Sequence, residues 1–275
     1  MIKKSITYTD LVEDFANRNI PIDTPGFYDH PNFMKIEEKN ASYLSNYAKF
    51  VHERPRDETY DGFVKKTAPL IINFYHDKYI GKDSSNSRTE FTNVISKALE
   101  KAGVWNYVVK GSVTIDFPDA SDIPKHNFWS IDYDGYSAAH TWIVAPPFYV
   151  VDVSLKTHAF SAKEAEHLMP INCNEANNII EAELEDILTP DACTLLASHK
   201  LKRSEYFGVI SPQTEKFLAV FPSREVSFND TKIKYFPLSV SAADLPFEQM
   251  STIQFDGQTA FDLYENKIKK LIEHA

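Results

Sequence analysis

Two side chains in this sequence have the types and spacing of a proton-transfer pair: His140 and Asp152. His140 opens one apolar run, His140–Ala145, and Asp152 stands near the end of the next, Phe148–Val153. Between the runs lie Pro146 and Pro147, which have no N–H to give to a sheet ladder. A three-residue loop, Ala145-Pro146-Pro147, pairs Val144 with Phe148 and sets His140 opposite Asp152 on one sheet face. A two-residue Pro-Pro loop would put them on opposite faces. The longer loop therefore makes a His–Asp hydrogen bond geometrically natural. A carboxylate there fixes the imidazole tautomer and stabilises its charged form, as a general base requires. An unpaired charge at 152, inside an apolar run, would be expensive to bury.

The elements that must position these residues follow from hydrophobic spacing. Phe91, Val94, Ile95, Ala98, Leu99 and Ala102 trace one buried face of a helix over Ser87–Ala102. Ser87 and Glu90 give that helix the capping-box pattern S-x-x-E, and Gly103 is its expected stop. Strands are expected over Val104–Val109 and Ser112–Phe117, with Gly111 as a bulge or turn, then Phe128–Tyr133, His140–Ala145 and Phe148–Val153. Upstream, the spacing predicts helices from a Thr9 cap through Asn17, over Ala41–Val51 and over Tyr60–Tyr79. Pro69 should kink the last of these or start a new helix at Ala68. Downstream, Ser161–Lys200 is expected to be helical with breaks near Pro170 and Pro190. Tyr206–Val240 is expected to be β-rich with a turn at Asn229-Asp230, and a final helix to run from about Gln258 to His274. The class is α+β in a single domain over 1–275: a helical part at 1–83, a core at 84–155 and a mixed extension at 156–275.

Composition narrows the function. Of 275 residues, 29 are Lys or Arg and 39 are Asp or Glu, a formal net charge of −10. With a pI near 5.4, such a chain is a poor partner for phosphate backbones, so no nucleic acid is expected. The hydrophobic fraction of 43% excludes a disordered chain. The charge-free runs Thr67–Tyr75 and Gly135–Val151 are shorter than the ~20 residues of a membrane helix, so no membrane partner is expected. Asp10, Glu13, Asp14 and Arg18 interrupt any signal-peptide core, and the expected location is the cytoplasm. Cys173 and Cys193 are too few for a disulfide framework or a cysteine zinc site, and are expected to be small buried hydrophobes. The nine histidines show no H-x-x-x-H spacing, and no glycine-rich phosphate motif occurs, so neither metal nor cofactor is expected.

The order of these elements resembles the transglutaminase-like superfamily, papain-like proteins that include the arylamine N-acetyltransferases. Ser87–Gly103 is similar to the family's nucleophile helix and Val104–Phe117 to the strand pair that follows. His140-Thr141-Trp142 is similar to its His-x-Trp strand and Tyr149–Asp152 to its Asp strand. The likeness covers about 70 residues, 84–155. It implies a central helix packed on an antiparallel sheet, and acyl transfer or amide or ester hydrolysis through a triad of Ser87, His140 and Asp152. The substrate would be a peptide, a protein or a small acyl compound; Trp142 and Trp105 are read either as walls of its cleft or as core residues. The sequence departs from the family at one position: the nucleophile is Cys, and no Cys lies near this helix start. Ser87 can be read as a cap alone, as a serine nucleophile, or as a Ser standing where a Cys was replaced. A silent member that binds a peptide or protein is the alternative function.

Overall fold

The computed structural model describes residues 7–79, 85–137 and 139–274. The class is α+β, with 47% helix and 22% strand. The chain divides into two compact units: Met1–Val108, Ile143–Phe148 and Val240–Ala275 form the first, Val109–Trp142 and Tyr149–Ser239 the second.

The first unit is helical. Helix α1, Tyr8–Asn17, is capped by Thr7, whose hydroxyl accepts the Asp10 N–H while the Asp10 carboxylate accepts the Thr7 N–H. This reciprocal box, which Thr9 cannot form, moves the cap two residues upstream of its expected place. A short 3-10 turn, Ala41–Tyr43, leads into α2, Leu44–Glu53. Helix α3, Glu58–Tyr79, runs through Pro69 as one element. Its buried face of Val64, Ala68, Ile71, Ile72 and Tyr75 is fully covered on both sides of the proline, and that packing outweighs one missing N–H. Helix α4, Ser85–Lys101, buries Phe91, Val94, Ile95 and Leu99 to 2% exposure or less. It ends as expected at Gly103, where φ is +87°. The Gly103 N–H bonds the Glu100 carbonyl and the Val104 N–H the Leu99 carbonyl, the paired closure that needs a left-handed residue.

The main sheet is formed by β1 (Tyr107–Asp116), β2 (His126–Phe128), β3 (His140–Ala145), β4 (Phe148–Asp152), β5 (Asn172–Asn174), β6 (Asn178–Ile180), β7 (Ser223–Phe228) and β8 (Thr231–Ser241). The order is β5-β4-β3-β1-β8-β7-β6, with β2 also on β1. Pairing is antiparallel for β1 with β2, β4 with β5, β6 with β7 and β7 with β8. Asn229 and Asp230 take φ of 46° and 62° between β7 and β8, the two-residue turn expected there.

Three expectations are corrected. Gly111 is not a turn between two strands but lies inside the single strand β1. A Cβ there would sit 2.0 Å from the Phe236 carbonyl oxygen and 2.9 Å from Trp142 Cη2, so close approach explains the glycine. The stretch 161–200 is not all helix. Helices Ala162–Glu166, Leu184–Ile187 and Pro190–Ser198 flank β5 and β6, which Asn-rich sequence, poor in helix formers, sets against the free edges of β4 and β7. The segment before β7 also forms two short helices, Tyr206–Ile210 and Thr214–Leu218. Tyr206 there closes an apolar cluster with Ile131, Ile187, Leu188, Leu196 and Phe236.

Leu99 has 0% exposure, so Leu99→Ala should cost about 2–5 kcal/mol in a denaturant titration. A loss below about 0.5 kcal/mol would mean that this face is not core. Gly111→Ala should cost about 1–3 kcal/mol, because the obstructing atom is backbone and cannot swing aside. An unchanged denaturation midpoint would show that the two strands can part without cost.

Candidate active site

The site grows from the hairpin β3–β4. The strand bounds leave only Pro146 and Pro147 between the two strands, yet the side chains of His140 and Asp152 share one face. His140 Nε2 lies 2.7 Å from Asp152 Oδ2, and the side chains are 2% and 0% exposed. A charge so enclosed must have its donors supplied by the protein.

They come from three places. The backbone N–H groups of Ser154 and Leu155, just past the end of β4, each donate to Asp152 Oδ1 at 3.0 Å. The Tyr235 hydroxyl, on β8, donates to Oδ2 at 3.0 Å. With its one proton committed there, that hydroxyl must accept from Asn172 Nδ2, 3.2 Å away. Asn172 is the register partner of Asp152 across β4 and β5, so pleat geometry delivers its side chain to that spot. Burial alone would raise the Asp152 carboxyl. The His140 charge and the bonds from His140, Ser154 and Tyr235 outweigh it, and the group stays below the usual carboxylate range. Burial, then the nearby carboxylate, push the Tyr235 phenol well above its ordinary value, so it remains a donor.

With Asp152 ionised, His140 carries a hydrogen on Nε2, and Nδ1 is the nitrogen left for proton exchange. That Nδ1 lies 3.2 Å from His158 Nε2. Trp142 is buried at 2% exposure, with its ring near-parallel to His140 at 18° and edge-on to Tyr235 at 5.2 Å. It therefore backs the imidazole from the core and does not wall an open cleft. Half-buried rings border the other side: Phe128 lies 6.2 Å from His140 and 4.6 Å from His158, and stacks on His126.

His140, Asp152 and Trp142 are thus together. Ser87 falls in the first turn of α4, which begins two residues earlier than expected, so Ser87 is inside the helix and not the residue flanking it. Its side chain lies outside the described residues. Cys173 and Cys193 are half-buried rather than enclosed, and neither is disulfide-bonded. Burial pushes the Cys173 thiol up to about 12 and raises Cys193 as well, so neither is a ready thiolate. A separate cavity of about 410 Å³, lined by Lys125, Trp129, Glu183, Asp186 and Cys193, includes none of the His–Asp group. Tyr235, Asn172 and His158 are the members that sequence spacing does not mark. No helix among the described residues is long and apolar enough to cross a membrane. Comparison with protein-family models, curated proteins and solved structures gives no match.

Asp152→Asn keeps the shape and removes the charge, so an NH2 group must oppose either His140 Nε2–H or the two backbone donors. The expected loss is about 1–3 kcal/mol at neutral pH. Because the folded carboxyl sits below its ordinary value, the wild-type advantage is full above that value. It fades as pH falls through the folded one. Denaturant titrations at successively lower pH should bring the two proteins together, and equal stability at neutral pH would refute the account.

Proposed function

We propose that the second unit supplies the acid–base machinery of an acyl-transfer or amide- or ester-hydrolysing enzyme. The observation that carries this reading is the buried Nε2–Asp152 hydrogen bond, which leaves His140 Nδ1 turned away from the carboxylate. In that arrangement His140 takes a proton from an attacking hydroxyl, thiol or water. Asp152 orients the ring and stabilises the imidazolium that forms. The hydroxyl that the resemblance would assign to attack is Ser87, near the N-terminus of α4, where the helix field favours negative charge. The resemblance of residues 84–155 to the transglutaminase-like pattern supports the same chemistry, with a peptide, a protein or a small acyl compound as substrate.

The second reading is a catalytically silent domain that binds a peptide or protein. The enclosure of His140, 2% exposed, is what favours it.

A fluorophosphonate, which phosphonylates activated serines with loss of fluoride, separates the two when labelling is followed by mass spectrometry. His140→Gln should slow labelling by about 10²–10⁴-fold, the usual worth of a general base. Ser87→Ala should abolish it, and Ser87→Cys should react with iodoacetamide faster than a simple exposed thiol. Labelling that is absent from the wild type, or untouched in His140→Gln, would leave the binding reading.

A further inference from the structure

Asp152 is met by more donors than one imidazole requires. His140 Nε2 and the Tyr235 hydroxyl meet on the same atom, Oδ2, at 2.7 and 3.0 Å, while the Ser154 and Leu155 amides hold Oδ1. Tyr235 is 1% exposed, and its ring packs edge-on to Trp142. The direction of its O–H follows from what surrounds it. Two oxygens 3.0 Å apart must share a proton, and a carboxylate has none to give, so the phenol gives it. The Tyr235 oxygen is then an acceptor on its other side, and the buried Asn172 amide must turn Nδ2 toward it, at 3.2 Å. The amide does so although its own Oδ1 is left enclosed with no hydrogen-bond partner, which is a cost. The reverse setting would draw the Tyr235 proton to Asn172 and leave two bare oxygens, phenol and carboxylate, facing each other.

We infer that Tyr235, aimed by Asn172, is a positioning residue for the base: acting through Asp152 Oδ2, it limits the pull of the carboxylate on His140 and keeps their shared proton on Nε2. A donor to a carboxylate stabilises its charged form and makes it a weaker base. The two amides do this from Oδ1, but the phenol competes with His140 for one atom. Hydrogen bonds in such a chain strengthen one another, so the Asn172 N–H makes the Tyr235 O–H the better donor. In the acyl-transfer reading the attacking hydroxyl passes its proton to His140 Nδ1 as its oxygen bonds the acyl carbon, and the carbonyl electron pair moves onto the carbonyl oxygen. The positive charge then rests on the imidazolium, Nε2 keeps its hydrogen, and Asp152 stays a carboxylate. The effect of Tyr235 on rate rests on that reading, whereas the order of the hydrogen bonds does not.

Two measurements test it. In protein labelled with 15N-histidine, the His140 Nε2–H resonance reports how strongly Asp152 draws that proton. Tyr235→Phe removes one oxygen and keeps the ring against Trp142, so the resonance should move downfield. Asn172→Ala leaves the hydroxyl in place but unassisted, and should move it the same way by a smaller amount. 3-Fluorotyrosine in place of tyrosine, a more acidic phenol of nearly the same size, should move it upfield, since Tyr235 is the one phenol bonded to this pair among the described residues. An unmoved or upfield resonance in Tyr235→Phe, a downfield one with 3-fluorotyrosine, or a larger move in Asn172→Ala than in Tyr235→Phe overturns the chain. Where Tyr235→Phe does not fold, the fluorotyrosine shift decides. The second measurement is the pH profile of fluorophosphonate labelling. The titratable groups facing His140 are Asp152 on β4 and His158, with His126 and Glu164 behind Phe128, and all are common to the two proteins. Without the Tyr235 hydroxyl the carboxylate holds the imidazolium more tightly. On the acid side of the profile Tyr235→Phe should therefore label about three- to tenfold more slowly, the worth of one ordinary hydrogen bond. On the alkaline plateau the two should converge. Equal rates on the acid side, or a deficit that persists on the plateau, overturns the tuning of the base. Labelling that survives His140→Gln condemns the acyl-transfer reading instead, and the resonance alone then decides the chain.

Discussion

One buried carboxylate organises the second unit. Asp152 has no exposed side-chain surface and receives four donors: His140 and Tyr235 on one oxygen, the Ser154 and Leu155 amides on the other. An ionised group taken from water is tolerated only when every lone pair of consequence is met. That requirement draws β3, β8 and the turn after β4 to a common point. Asn172 is drawn in at one remove, because the Tyr235 hydroxyl, having given its proton away, needs a donor of its own.

Packing behind the imidazole is as constrained as the hydrogen bonds in front of it. Trp142 fills the space between His140 and Tyr235, and the edge of its indole is the nearest side-chain neighbour that a substituent at Gly111 would meet. A glycine in β1 thereby leaves room for the tryptophan, whose ring lies near-parallel to that of His140. The first unit has its own core. It is held by aromatic packing among Phe15, Phe27, Phe33 and Phe50 and by the buried faces of α3 and α4.

What was legible in the sequence was local. His140 and Asp152 lie on one hairpin, so their nearness could be read from the sequence, although alternation across the two residues between the strand bounds does not by itself put them on one face. The buried face of α4 and its glycine stop could be read from spacing in the same way. Tyr235 comes to Asp152 from 83 residues away, and no periodicity records such a meeting. His158 follows Asp152 by six residues, but only the turn built on the carboxylate brings it back toward β3. The helical reading of 161–200 failed for a similar reason: β5 and β6 exist because neighbouring strands offer open edges, and a segment carries no mark of an edge elsewhere. The Thr7 cap and the early start of α4 are smaller errors, of the size that helix termini invite.

Half of the hold on Asp152 is written in no side chain. The amides of residues 154 and 155 belong to the main chain, so as far as the carboxylate is concerned any residue but proline serves at either position. Substitution scanning there would register only the fit of the side chain and pass over the donor. Kinship with this chain is therefore better sought in the curl of the backbone after an aspartate-ended strand than in the letters that follow it.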